Sequence, residues 1–483
     1  MPDTKEKLSI KQLEVLLKDD TKIRVSGCDI DGIARGKTIT KQKFLKSIDD
    51  GFGFCNVAFG WDMLDRTYDE SVGVERGYAD LTAKLDASTF RRIPWDNRTA
   101  HFLFDFMDPV SGKAFASCPR GLLKNAIAQC NELGFKPLCG MEFEFFNFKG
   151  GLVCKHCYLL TNDNPIETPD SLVQKNGVNL TPLTPGMFGY SLMRPSLNQQ
   201  FFNDIYDQCL EYDIPIEGWH TETGPGVFEA ALEYGEALEL ADRAHLFKTA
   251  AKQIGLRHGV IASFMAKPWQ DLPGCSGHIH FSLANLSDGK NAFVPAEGNV
   301  ADKDDKLAAM SPVMRSFVAG LLEALPSIMP MLAPTINSYK RLVENYWAPV
   351  TVSYGIENRT SAIRIIAPPT CPASATRLEL RVPGADVNPY LAIAACLAAG
   401  INGVRKKMTP KMPPMEGNDV AGAERLPRTL KDATEKMMAK GSVAREILGD
   451  AFVDHFGKTR LHEHKMWETS VTSWEIKRYL ETV

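Results

Sequence analysis

The chain lacks an apolar leader, a membrane-length hydrophobic run, an excess of either charge and a cysteine framework, and each absence narrows what it can be. Its first residues, Met1-Pro-Asp-Thr-Lys-Glu-Lys, have no apolar stretch behind a basic start, so no signal peptide is read and a cytoplasmic location is expected. The longest apolar stretch, Pro389 to Ile401, is too short and too rich in small residues to span a bilayer. A buried helix is expected there, and no membrane partner. With 55 basic and 59 acidic residues dispersed along the chain, the net charge of -4 offers no field to hold nucleic acid. Eleven cysteines cannot all pair and show no framework spacing, so they are expected to be reduced. The only CxxC, Cys154-Lys-His-Cys157, has no second pair and reads as two thiols on a loop rather than a zinc site.

What is present is an ordinary globular composition, 44% hydrophobic and 24% charged over 483 residues, enough for a large core in more than one domain. The first hundred residues read as β-rich. Ile23 to Ile30 alternates as a strand, Asp31-Gly32 signals a turn, and Ile33 to Ile39 returns as its partner. Gly32-Ile-Ala-Arg-Gly36-Lys37-Thr38 imitates a P-loop but is one residue short between its glycines and leads into no helical pattern, so it belongs to the hairpin. A boundary is placed near Ser111, giving domains 1–110 and 111–483. Beyond it, helical patterns at Pro119–Leu133, Pro195–Tyr212, Tyr234–Gly255, Pro312–Leu325, Asn388–Arg405 and Thr429–Leu448 alternate with short strands, predicting an α+β or α/β catalytic domain.

Three strand-like segments carry ionisable residues two apart, which puts their side chains on one face with apolar residues behind. They are Glu142-Phe-Glu144, His278-Ile-His280 and Arg377-Leu-Glu379-Leu-Arg381. Glu142 and Glu144 side by side repel unless a cation lies between them, and His278 and Glu379 could complete its shell. Oxygen and imidazole donors suit Mg²⁺ or Mn²⁺ better than a thiolate metal. A second carboxylate pair, Glu222 and Glu229, is separated by Gly224-Pro-Gly226, whose tight turn lets the two converge. The bland alternative is solvated strand faces and an acidic surface loop.

Taken in order, Glu142-x-Glu144, Glu222-x6-Glu229, Gly274-Cys-Ser-Gly-His278-Ile-His280, Asn337-Ser-Tyr-Lys-Arg341-Leu, Asn358-Arg359-x4-Arg364, Arg377-Leu-Glu379-Leu-Arg381 and Asn388-Pro-Tyr-Leu resemble the glutamine synthetase family. The likeness is to the type I form, in the branch of the γ-glutamylpolyamine and γ-glutamylanilide synthetases, and runs from Ile23 to the helix after Asn388. It implies an α+β fold: a small N-terminal β-grasp domain, then a catalytic domain whose curved antiparallel sheet, flanked by helices, forms half of an active-site funnel. It implies a homo-oligomer of two hexameric rings with sites shared between subunits. Carried over residue by residue, Glu144, Glu222 and Glu229 match the ligands of one divalent ion, and Glu142, His278 and Glu379 those of another, with Mg²⁺ or Mn²⁺ expected. His280, Arg359, Arg364 and Arg377 fall where the family contacts ATP phosphates or the transferring phosphoryl group. Arg341, Arg381 and the backbone near Gly274 fall where it holds L-glutamate. The implied reaction converts the γ-carboxylate to an acyl phosphate, which an amine displaces.

Three departures bear on the amine. Trp347, in Glu344-Asn-Tyr-Trp347-Ala-Pro349, stands where the family has a loop glutamate that helps deprotonate ammonium. The Asp-Gly-Ser-Ser motif of the ammonium site is absent; in its region stands Phe59-Gly-Trp61-Asp62, with Asp62 the candidate for that catalytic role. A lysine expected before Arg377 is missing, with Ser374 near its place. Loss of negative charge and gain of aromatic surface favour an uncharged or partly apolar acceptor, such as an alkyl-, aryl- or polyamine. The alternatives are that Trp347 packs against Tyr346 and Pro349, that the acceptor is ammonium, or that the chain is a structural relative without activity.

Overall fold

The computed structural model describes residues 8–68, 77–150, 180–295, 307, 309–344, 347–418 and 422–483. Cys154, Cys157 and Tyr346 lie outside them. Among the described residues no helix is long and apolar enough to cross a membrane.

The first sheet has five strands in the order β2-β1-β5-β4-β3: β1 (Lys22–Cys28), β2 (Ala34–Thr40), β3 (Phe52–Cys55), β4 (Asp80–Ile93) and β5 (Thr99–Met107). β1 and β5 are parallel and the other pairs antiparallel. The β1–β2 turn is wider than the sequence suggests: Cys28 pairs with Ala34, and Asp29 Oδ1 accepts from the Asp31 and Ile33 amides at 3.0 and 2.8 Å. Gly32 takes φ +83° in that turn, a conformation that favours glycine. The P-loop imitation runs from this turn into strand β2.

The second sheet holds β6 (Phe135–Lys149), β7 (Ile216–Thr221), β8 (Val227–Glu236), β9 (Val260–Ser263), β10 (Ile279–Asn285), β11 (Tyr354–Ile356), β12 (Ile363–Ile366) and β13 (Arg377–Leu380). Its order is β11-β12-β13-β10-β6-β8-β7, with β9 also on β6, and every pair is antiparallel except β11–β12. The α+β expectation therefore holds, with the first sheet ending at Met107 and the second beginning at Phe135. Long β6 is the spine. Met141, Phe143 and Phe145 are 1, 0 and 0% exposed on its core side, which turns Glu142 and Glu144 to the other face.

Behind the sheet, the apolar Pro389–Arg405 is a helix, capped by the Asn388 side chain and buried along most of its length. It crosses the helix Pro312–Leu332 almost backbone to backbone: a Cβ on Gly320 would stand 2.3 Å from the Ala399 carbonyl oxygen. The helix Pro312–Leu332 runs through Pro326 and Pro330, past the end expected at Leu325. Its burial outweighs the lost backbone hydrogen bonds. Tyr234–Gly255 is β8 to Glu236 and then the helix Ala237–Arg257. Thr429–Leu448 is two helices, Leu430–Met438 and Val443–Leu448, separated at Gly441, φ +75°.

Buried charges tie the first sheet to the rest. Arg120 reaches Asp86 of β4 at 2.8 Å, Asp105 of β5 at 3.0 Å and Asp242 of the helix Ala237–Arg257 at 2.8 Å. Arg460 in the helix Asp450–Glu468 pairs with Asp31, and both side chains are 2% exposed. Such pairs are costly to break from one side, so they fix the relative placement of the two sheets.

Candidate active site

Strand register assembles the site. Arg364 of β12 lies opposite Glu379 of β13, which lies opposite His280 of β10; Glu144 of β6 lies opposite Glu229 of β8. His280 and Glu144 do not share a row, because β10 meets β6 at Gly140. The Glu142 and Glu144 amides donate to the His278 and Ser276 carbonyls, extending the ladder past the end of β10.

Two clusters result. In one, ligand atoms of Glu142, His280 and Glu379 lie within 4.8 Å of one another. His278 joins them, its Nδ1 3.4 Å from Glu142 Oε2 and 3.2 Å from Glu379 Oε1. Both imidazoles thus face Glu142, with His280 Nε2 at 3.2 Å from Oε1. The family resemblance implies phosphate contacts for His280; its placement fits that task or metal ligation. Arg364 Nη1 donates to Glu379 Oε2 at 3.1 Å, and Arg381 Nη1 donates to Glu379 Oε1. Burial would raise the carboxyls of Glu142 and Glu379, yet the two histidines hold Glu142 well below the usual range. His278 and Arg381 pull Glu379 down to about 2. Burial and the nearby Arg381 lower His278, favouring the neutral, ligating imidazole.

In the other cluster, Glu144, Glu222 and Glu229 bring carboxylate oxygens within 4.8 Å of one another. The Gly-Pro-Gly turn brings Glu222 back toward Glu229 as expected, with φ +137° at Gly224 and +70° at Gly226. Glu144 is held by Ser276, whose Oγ and amide donate to its two oxygens at 2.6 and 2.8 Å. No guanidinium among the described residues forms an ion pair with these three acids. Burial and then repulsion from Glu144 raise Glu222, and burial with Glu144, Glu142 and Glu222 pushes Glu229 up to about 9. Three converging carboxylates that can shed this cost only by taking up protons or a cation fit a divalent ion. The structure separates Glu142 from Glu144: each enters a different cluster, where the strand pattern alone suggested one shared cation.

The remaining predicted residues divide. Arg341 is buried, donating to the Val382 and Arg381 carbonyls at 2.9 and 3.2 Å. It is also packed against Gly274, where a Cβ would meet the Arg341 side chain at 3.0 Å. Arg377 Nε donates to His280 Nδ1 at 3.3 Å. Arg359 is exposed, and its carbonyl accepts from Arg381 Nε at 2.9 Å. Trp347 is 72% exposed with φ +54°. Among the described residues, the side-chain contacts of Asp62 are with neither cluster. Its Oδ1 accepts from the Leu64 and Arg66 amides at 2.8 and 2.9 Å, and its Oδ2 is 3.6 Å from His462.

Sequence reasoning missed three participants. Tyr190 stacks on His220 with centroids 4.4 Å apart, and burial together with the charge of Glu222 raises its phenol. Glu357 clamps Arg364 at 2.6 Å. Ser276 orients Glu144 and lies within a motif already singled out, so its polarity was the available signal. Tyr190 lies in an irregular segment with no periodicity to mark it.

The chain matches the family described as glutamine synthetase, catalytic domain, over residues 116–479. A protein called type-1 glutamine synthetase 2, from Dictyostelium discoideum, is 47% identical over 468 residues, 95% of this chain and 84% of that one. A glutamate–isopropylamine ligase from a Pseudomonas species is 34% identical over 467 residues, 95% of each. Among solved structures, GmaS in complex with ADP superposes with a TM-score of 0.77 at 26% identity, covering 97% of this chain and 99% of its own. Two acid clusters on a curved sheet, aligned along nearly the full chain with these relatives, place it: the protein belongs to the glutamine synthetase family and is a carbon–nitrogen ligase.

Proposed function

We propose that the protein joins the γ-carboxylate of L-glutamate to an organic amine at the expense of ATP. The observation that carries the acceptor class is Trp347: an exposed indole stands where the family places an acid, in the loop that follows Arg341. The identity to an isopropylamine ligase supports it.

In this reading a γ-carboxylate oxygen bonds to the terminal phosphorus of ATP as the bridging P–O bond breaks and ADP leaves. The amine nitrogen then bonds to the acyl carbon, phosphate departs with the C–O electron pair, and the spare nitrogen proton passes to that phosphate. Divalent ions at the two clusters, Mg²⁺ or Mn²⁺, would neutralise charge on the nucleotide and on the phosphoryl group in flight. Glu144, Glu222 and Glu229 would hold one; Glu142, Glu379 and a histidine, His278 or His280, the other. Arg359, Arg364 and Arg377 would bind the phosphates, and the Glu357 clamp would keep Arg364 in a fixed pose. Arg341, Arg381 and the Gly274 backbone would hold glutamate. Trp347, with the Tyr190–His220 stack, would form an aromatic wall for the amine and keep water from the acyl phosphate. Asp62 would act across a subunit boundary, in a homo-oligomer of two hexameric rings. That arrangement predicts inactive isolated monomers.

The test is phosphate release from ATP with glutamate and Mg²⁺ across ammonium, alkylamines, polyamines and anilines. Faster release with one organic amine than with ammonium is expected. The identity to a type-1 glutamine synthetase favours a second reading, with ammonium as acceptor, and fastest release with ammonium would establish it.

A further inference from the structure

The stretch 344–350, which carries Trp347 and follows Arg341, is held at both ends by one residue, Arg425. At its far end the chain pairs with 424–426: the Leu426 amide donates to the Val350 carbonyl at 3.0 Å, the Val352 amide donates to the Glu424 carbonyl at 2.8 Å, and Thr351 lies opposite Arg425. Thr351, Val352 and Leu426 are 2, 2 and 3% exposed, so this pairing is rooted in the core. At its near end the Arg425 side chain takes over, with Nη1 donating to Glu344 Oε1. The backbone of Arg425 thus stands beside one end of the stretch while its guanidinium grips the other.

This ion pair is poorly placed to stabilise the fold. The Arg425 and Glu344 side chains are 53 and 51% exposed, and water screens a pair so open. Its effect is local. Trp347 sits at φ +54°, a backbone conformation that a bulky residue adopts only where its surroundings hold it. Joining the two ends reduces the conformations open to the chain between them, which favours one presentation of the indole over many.

We propose that Arg425 is a positioning residue for the acceptor amine, its clasp on Glu344 fixing the stretch that presents Trp347. The proposal rests on the reading of Trp347 as part of the amine site. Arg425 acts only through that stretch, so it bears on the amine and not on ATP or glutamate.

The experiment measures initial rates of phosphate release by the assembled protein, varying ATP, glutamate and the amine in turn, with whichever amine wild type uses best, ammonium included. Arg425→Gln and Glu344→Gln should each raise KM for the amine about threefold to fivefold, the reach of one exposed ion pair. KM for ATP and for glutamate should stay at wild-type values, and so should the melting temperature. Arg425→Glu combined with Glu344→Arg, which rebuilds the pair with its charges exchanged, should bring KM for the amine back to within about twofold of wild type. An equal rise in all three KM values, or no recovery in the exchanged pair, would overturn the proposal. Trp347→Ala separates the two readings: an amine KM that rises there but not in Arg425→Gln overturns the clasp alone, and one that rises in neither overturns the Trp347 reading with it.

Discussion

The two acid clusters sit on one sheet, a few ångströms of strand apart, and satisfy their charge in opposite ways. Around Glu142 and Glu379 the chain supplies its own partners, two imidazoles and the guanidiniums of Arg364 and Arg381, and the carboxyls are held low. Around Glu144, Glu222 and Glu229 no guanidinium among the described residues forms an ion pair, only the His220 imidazole approaches, its Nε2 3.7 Å from Glu229, and Glu229 is pushed up to about 9. The first cluster is built to stand alone, the second only with a guest. One sheet thus separates acids matched by nearby donors from acids that repel one another unless protons or a cation join them.

The contrast is sharpest under matched substitutions. Glu379→Gln strips Arg364 and Arg381 of a buried partner and should cost about 3–5 kcal/mol of stability, read as a lower denaturation midpoint in EDTA. Glu229→Gln should behave in reverse: phosphate release falls by about 100-fold or more, while the metal-free protein melts higher than wild type. A Glu229→Gln protein that melts lower would break the comparison. Ser276→Ala removes one of two donors that orient Glu144 and should weaken Mn²⁺ binding about tenfold in a titration.

The smallest effect is on pH dependence, and its sign differs between the clusters. Glu229, about 9 in the fold against an ordinary 4.5, contributes stability that is present below 4.5 and lost as pH rises toward 9. Glu379, about 2 in the fold, contributes stability present above 4.5 and lost as pH falls toward 2. Melting temperatures in EDTA should therefore fall on both sides, and Mg²⁺ should flatten only the alkaline side. Equal flattening on the acid side would contradict the assignment.

Strand alternation made the ionisable pairs legible, because a period of two fixes which side chains share a face without any knowledge of the fold. The Gly-Pro-Gly turn made the convergence of Glu222 and Glu229 legible for a similarly local reason. What local pattern could not supply was register. Whether Glu142 shares its neighbours with Glu144 depends on β10 meeting β6 at Gly140 and on the shift in the β6–β8 ladder between Cys139 and Met141. Helix ends misread at Pro326 and at Tyr234 for a related reason: burial of the helix Pro312–Leu332 and extension of β8 are tertiary effects that override local preference. Tyr190 was invisible because an irregular segment has no period to break.

Whether Trp347 selects the acceptor is decided by a competition between amines. ATP, glutamate and Mg²⁺ are supplied with ammonium and isopropylamine at equal concentration, and products are weighed by mass spectrometry for wild type and Trp347→Glu. Mainly γ-glutamyl isopropylamide is expected from wild type, with a shift of about tenfold toward glutamine in the variant. Glutamine as the main wild-type product, unchanged by the substitution, would contradict it.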